Sequence, residues 1–262
     1  MTAPSVQPLL EARDLVVAYD RKVVVDGVDL ELPEGSFTVI LGPNASGKST
    51  VLRALARVLR PERGQVLLDG RELRDYGARE LARRMGLLPQ DAVAPEGMRV
   101  ADLVSRGRHP HRAALQHWTR ADDDATREAL AATGTAELSE RYVDQLSGGQ
   151  RQRVWIALLL AQRAPVMLLD EPTTFLDIAH QFELLDLLRA LHRDGKTVVA
   201  VLHDLNQAAR YADRLVLMRD GRIAATGSPR ELITPERIAE VFGIDALVLD
   251  DPVTGTPMVV RR

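Results

Sequence analysis

Phe37-Thr38-Val39-Ile40-Leu41-Gly42-Pro43-Asn44-Ala45-Ser46-Gly47-Lys48-Ser49-Thr50 is the stretch on which the fold turns. Its first five residues form a short apolar run of the buried-strand type. The nine that follow fit G-x-x-x-x-G-K-[ST], a phosphate-binding loop. Glycines let the backbone wrap so that its N–H groups face a polyphosphate. The helix that follows offers its positive end to the same anion. Lys48 is placed to reach the β- and γ-phosphates, and the Ser49 hydroxyl to ligate Mg²⁺. Val51, Leu52, Leu55, Val58 and Leu59 recur at helical spacing, and Pro61 is expected to end that helix.

Upstream, Leu15-Val16-Val17-Ala18-Tyr19, Val23-Val24-Val25 and Val28-Asp29-Leu30-Glu31-Leu32 read as strands, with turns at Asp20 and Asp26-Gly27. Downstream, residues 65–68 and 86–88 read as further strands. From 91 to 164 strands vanish, and helical patterns appear around 100–107, 121–132 and 149–162. Strand character then returns in Val166-Met167-Leu168-Leu169, in residues 197–202 and in Leu215-Val216-Leu217-Met218, with Leu184, Leu187, Leu188 and Leu191 in helical phase between the first two. Strands alternating with helices imply a mostly parallel sheet. The expected architecture is one α/β domain over 1–262. Its core is 9–90 with 165–228, flanked by helices and carrying an antiparallel N-terminal β region. A helical subdomain is inserted over 91–164, and a short extension covers 229–262.

Composition narrows the function classes. The chain has 262 residues, 45% apolar and 27% charged, as expected of a globular protein and not of a disordered one. The net charge of −3 gives no bulk electrostatic case for nucleic acid as a partner. The absence of cysteine excludes disulfides, thiolate metal sites and a cysteine nucleophile. Lysine occurs only at 22, 48 and 196, so the lysine of the phosphate loop stands out. Residues 1–8 show no secretory signal. The longest apolar run, 155–161, is far short of the ~20 residues that span a bilayer. His109, His111 and His117 lack the spacing and the companion carboxylates of a metal site.

Two further motifs carry chemistry. Val166-Met167-Leu168-Leu169-Asp170-Glu171 delivers two carboxylates at the end of a buried strand, where α/β sheets bind ligands. Asp170 suits Mg²⁺, and Glu171 suits a general base for water. Alone, two acids after a strand equally mark a helix start. Leu146-Ser147-Gly148-Gly149-Gln150 precedes a helix, with Ser147 a plausible N-cap. As chemistry it is a second anion site, built from a hydroxyl, glycine amides and a helix N-terminus. One triphosphate does not need two such sites in one chain, so the pair suggests ATP gripped by two chains.

Together these motifs resemble the ATP-binding subunit of an ABC transporter, over about residues 9–260. The resemblance implies a P-loop ATPase fold, MgATP as ligand and an ATP-sandwich homodimer. In that dimer Ser147, Gly148, Gly149 and Gln150 of one chain close over the γ-phosphate held by the other. It further implies two membrane permease subunits, an extracytoplasmic substrate-binding protein reached through them, and a peripheral place on the cytoplasmic face of the membrane. Tyr19 resembles the aromatic that stacks on adenine, and is equally placed to pack at a strand end. Gln90 resembles the glutamine that senses Mg²⁺ and the γ-phosphate; His203 resembles the switch histidine that contacts the γ-phosphate. Thr174-Phe175-Leu176-Asp177 resembles the D-loop at the dimer interface, with Thr and Phe where Ser and a smaller or polar residue are commoner.

Within the family, several stretches resemble iron-chelate (siderophore) importers, with haem and cobalamin importers as near relatives. They are residues 172–181, 203–208, and 241–245 with 251–257, and Gly107-Arg108-His109-Pro110-His111, which resembles a segment lying near the permease. The alternative class is a soluble, non-transport ABC ATPase. The short 90–146 stretch without heptads, and the single cassette, speak against DNA-repair and translation members.

Overall fold

The computed structural model describes residues 8–112 and 117–262. The reading of residues 1–8 therefore lies, but for Pro8, outside the described residues. The chain divides into two compact units, one of residues 8–75 with Thr197–Arg262 and one of Tyr76–Lys196.

The first unit opens with the antiparallel strands β1 (Leu10–Tyr19) and β2 (Lys22–Leu32). Asp26-Gly27 is not a turn between two strands, as the sequence suggests, but an interruption within one. Leu15 faces Val28 and Val17 faces Val25, so β2 spends one extra residue there, and Gly27 takes φ +64°. That is a β-bulge, which keeps the ladder going while bending it. Strand β3 (Phe37–Leu41) is buried throughout and leads through the 42–47 loop into helix α1 (Lys48–Leu55). The helix stops well before Pro61. Arg57 adopts a left-handed φ of +58°, and the Val58 and Leu59 amides turn back to the Arg53 carbonyl at 2.9 and 3.2 Å. Backward bonds of this kind satisfy the last carbonyls and close a helix without proline. Val58 is exposed as a result, not part of the buried face. Strands β4 (Arg63–Leu68) and β5 (Arg71–Glu72) complete a sheet of order β2-β1-β4-β5.

The second unit begins with helix α2 (Ala78–Arg84) and strand β6 (Met85–Leu88). Helix α3 (Val100–Ser105) passes into a 3₁₀ segment, Arg106–His111. Helices α4 (Arg120–Ala132) and α5 (Gly148–Ala161) follow. Leu103, Val104, Leu130, Leu146, Val154 and Ala157 are among the side chains of their shared apolar core. Strand β7 (Val166–Asp170), buried along its length, pairs in parallel with β6, and helix α6 (Ile178–Arg193) follows it.

The chain then returns to the first unit. Strand β8 (Thr197–Val201), helix α7 (Leu205–Tyr211), strands β9 (Arg214–Arg219) and β10 (Arg222–Gly227), and helices α8 (Pro229–Leu232) and α9 (Pro235–Phe242) succeed one another. Strand β3 pairs in parallel with both β8 and β9, and β10 closes on β9 antiparallel. The tail ends in a hairpin, β11 (Ala246–Asp250) with β12 (Pro257–Arg261). Asn206 on α7 holds β12 through both backbone groups of Val259, at 2.7 and 3.2 Å. No helix among the described residues is long and apolar enough to cross a membrane.

Candidate nucleotide-binding and hydrolysis site

The first unit supplies a phosphate cradle. A loop leaving a buried strand must turn within a few residues and expose its amides, and here the neighbours fix how. A Cβ on Gly42 would lie 2.2 Å from the Met218 carbonyl oxygen of β9, so only glycine lets the loop pass that strand. Ala45 and Gly47 take φ of +62° and +95°. The Lys48 ammonium is buried and donates to the carbonyls of Gly42 and Pro43, at 3.0 and 2.9 Å, which bends the loop around its own cation. The Ser46 hydroxyl is buried with no hydrogen-bond partner among the described residues. Helix α1 has no acid in its first turn, and its N-cap Gly47 has no side chain to occupy the first amides. Buried polar groups are normally satisfied, so an unmatched hydroxyl, a helix N-terminus and an ammonium in one loop fit a polyphosphate. Pro43 and Asn44 lie on the loop's outer rim; Ser49 and Thr50 are on the first turn of α1.

His203 emerges two residues past β8. Val201 pairs with Ile40, and the Leu202 amide donates to the Ile40 carbonyl at 3.3 Å, so β8 and β3 end side by side. The parallel register thus brings the histidine to the sheet edge that carries the phosphate loop. Tyr19 closes β1 at its turn with β2 and is 42% exposed.

The second unit supplies carboxylates. Asp170 ends β7 and is 1% exposed; Glu171 follows with φ +52°. A positive φ at a non-glycine residue turns the side chain out of the strand direction and stores strain that neighbours must hold. The neighbours are Gln90 and Thr174. Gln90 Nε2 donates to Glu171 Oε2 at 2.7 Å, and the Thr174 hydroxyl donates to the same oxygen at 3.2 Å. Leu88 pairs with Leu169 across β6 and β7, which is why Gln90 meets a residue 81 positions away. Thr174 was not among the expected site residues; the Thr where Ser is commoner is the signal that could have shown it, since both residues carry the hydroxyl.

Ser147 caps α5 as its position suggests. Its hydroxyl accepts from the Gln150 amide and Gln150 Oε1 accepts from the Ser147 amide, both at 3.2 Å. This capping box leaves Ser147 and Gly148 exposed at the helix start. Phe175 adopts φ +64° and is 87% exposed. Within the 107–111 stretch, which resembles a segment lying near the permease, His109 is exposed. Gly107 and Arg108 are buried within the unit, where Arg108 pairs with Asp122 at 3.0 Å and donates to the Ala161 carbonyl at 2.8 Å. Burial, which disfavours the charged carboxylate, is outweighed by hydrogen bonds from Thr119 and Arg108, so Asp122 lies below the usual carboxylate range. His111 Nε2 donates to the Gln162 carbonyl at 2.7 Å.

A buried strand feeding a phosphate loop, a strand-end carboxylate pair and a capped glycine helix start define a nucleotide-hydrolysing cassette. The family model described as ABC transporter matches residues 25–174. The chain is 49% identical to the ferric enterobactin transport ATP-binding protein of Escherichia coli (strain K12), covering 96% of this chain and 93% of that one. It is 42% identical to a hemin import ATP-binding protein of Gloeobacter violaceus, over 96% and 94% of the two chains. Among solved structures it resembles a dimeric bacterial ABC transporter cassette, with TM-score 0.74 and 29% identity over 84% of this chain and 98% of that one. The chain belongs to the ABC transporter family, as an ATP-binding subunit that hydrolyses ATP.

Proposed function

We propose that the protein powers an importer of ferric siderophores. The reading is supported by the ferric enterobactin relative, which matches nearly the whole chain. A haem importer is the second reading, favoured by the hemin relative at lower identity. The chain works at the cytoplasmic face of the membrane, docked on two permease subunits. It closes as a homodimer around two ATP, and a binding protein delivers the chelate to the permease from the other side.

Each role follows from local chemistry. Tyr19 offers its exposed ring to adenine. Residues 42–50 hold the phosphates, with Lys48 as counter-charge. Ser147, Gly148, Gly149 and Gln150 present amides and a hydroxyl to the γ-phosphate bound by the partner chain. Ser49, Gln90 and Asp170 are hard oxygen donors of the kind Mg²⁺ prefers; Gln90 gives its amide N–H to Glu171 and so keeps its amide oxygen as an acceptor. Mg²⁺, when bound, neutralises charge on the phosphate oxygens. Glu171 takes the proton of the attacking water, and His203 donates to the phosphoryl oxygens as charge builds. Phosphoryl transfer asks for positioning and electrostatics above all.

The observation that carries the mechanism is the Glu171 carboxylate, aimed by Gln90 and Thr174 at the end of a buried strand. Glu171→Gln keeps size and hydrogen bonding but removes the base. Turnover is expected to fall by about 10²-fold or more, while ATP binding persists and the variant elutes as a dimer with MgATP. Near-normal hydrolysis would show that another group activates water.

A further inference from the structure

The second glycine of the 147–150 turn is pressed against its own chain. Gly149, the second residue of α5, is buried. A Cβ there would lie 2.7 and 2.8 Å from Cδ2 and Cγ of His180 on α6, and 3.3 Å from the His180 Cβ. The equivalent point at Gly148 lies 3.5 Å from the Phe175 carbonyl oxygen. Nδ1 of the imidazole donates to Asp177 Oδ1 at 2.8 Å, which holds the ring over Gly149. The same carboxylate oxygen accepts the His180 backbone N–H at 2.9 Å, capping α6. Those two bonds, backbone first, hold Asp177 below the usual carboxylate range, so it is an ionised acceptor at neutral pH. Farther along both helices Arg153 pairs with Glu183 at 3.4 Å. At the other end Gln181 Nε2 donates to the Leu176 carbonyl at 3.0 Å.

We propose that His180 is a positioning residue for the 147–150 turn. Pinned by Asp177, its ring seats on the bare Cα of Gly149 and fixes the direction in which the α5 N-terminus points. The turn and the 174–177 loop then move as one piece, and closure at one is felt at the other. Gly149 lacks a side chain partly for this intramolecular reason, not solely to let a phosphate approach. The inference rests on the reading above that this turn closes over the γ-phosphate.

The test is a double-mutant cycle of Gly149→Ala and His180→Ala, read as steady-state ATP turnover and as thermal melting. Gly149→Ala alone is expected to lower turnover by about tenfold or more. Adding His180→Ala removes the two ring atoms in conflict and leaves only the 3.3 Å contact with Cβ. The double variant should recover about tenfold over Gly149→Ala, a coupling of the size seen between touching residues. A double variant as slow as folded Gly149→Ala overturns the proposal. Wild-type turnover in Gly149→Ala also overturns the proposal, whereas the reading of the turn as a γ-phosphate site fails separately if folded Ser147→Arg turns over ATP at the native rate. Should Gly149→Ala fail to fold, His180→Ala in the native background decides. Loss of positioning raises the half-saturating ATP concentration about fivefold with kcat within about twofold. Unchanged half-saturation there rejects the proposal.

Discussion

A single atom separates a working phosphate loop from a broken one at Gly42. The atom it would meet, the Met218 carbonyl oxygen at 2.2 Å, is backbone in a paired strand and cannot rotate away. Gly42→Ala is therefore expected to weaken ATP binding by about tenfold or more and to cost about 1–3 kcal/mol, the range for overpacking. Nucleotide titration and a denaturant midpoint check the two effects; unchanged affinity would mean that the loop passes β9 with room to spare. The motif names Gly42, yet its reason lies in a strand 176 residues later, which no local pattern shows. The same holds for Glu171. Its place as the second acid after four apolar residues was legible, and so was Gln90 after Pro89. Their hydrogen bond was not, because it comes from the parallel register of β6 and β7. Sequence motifs report which groups a site contains; pairing registers decide which of them touch.

Among the elements, the 3₁₀ segment Arg106–His111 shows most plainly how far a pattern reaches. Its resemblance is to a segment near a permease, and nothing in the pattern shows that the tight turn takes Arg108 inward, where its guanidinium meets Asp122 on α4 and the end of α5. The ion pair is buried on both sides, with side chains 7% and 5% exposed. Removing one partner of such a pair strands the other charge. Arg108→Ala is accordingly expected to destabilise by about 3–5 kcal/mol, whereas Arg106→Glu, on the exposed side, should leave the melting curve nearly unchanged. Asp122 also sets a pH dependence. Its folded pKa is lowered, so its contribution is fully present above the ordinary carboxylate value of about 3.9 and is lost as pH falls through the lowered folded value. Urea midpoints at neutral pH and at successively acid pH should fall less steeply for Asp122→Asn than for the native chain. An equal slope would place the acid sensitivity elsewhere. The long helices and the core strands were readable from periodicity, whereas the short helices α2, α7, α8 and α9 and the strands β10, β11 and β12 gave no such pattern. The bulge at Gly27 was not readable, since it is settled by the register with β1, and neither was the early stop of α1, where a left-handed Arg57 turns the Val58 and Leu59 amides back to Arg53 without a glycine or proline to mark it.

For the whole molecule, the two anion-binding motifs pose a counting problem. Residues 42–50 belong to one compact unit and residues 147–150 to the other. The first holds its lysine on its own carbonyls, and the second holds its serine on its own helix amide. Both helix starts carry no acid in their first turn, so each keeps an attraction for an anion. If each chain's Ser147 serves the nucleotide of its partner, a dimer has two sites, each built from one phosphate loop and one foreign serine. Mixed dimers separate this from the alternative. Pairing a Lys48→Ala chain with a Ser147→Arg chain puts both lesions in one site and leaves the other whole. Were Ser147 to serve its own chain, every site would carry one lesion. Arginine also removes the cap of α5, a loss of about 1 kcal/mol, so Ser147→Arg homodimers must first melt near the native temperature. With that established, differently tagged chains are co-purified in MgATP and the trapped nucleotide is counted. One nucleotide per mixed dimer is the expected result. None would mean that each chain completes its own site. Two would mean that neither Lys48 nor Ser147 is needed to retain ATP, and that the grip lies in the amides of the loops alone.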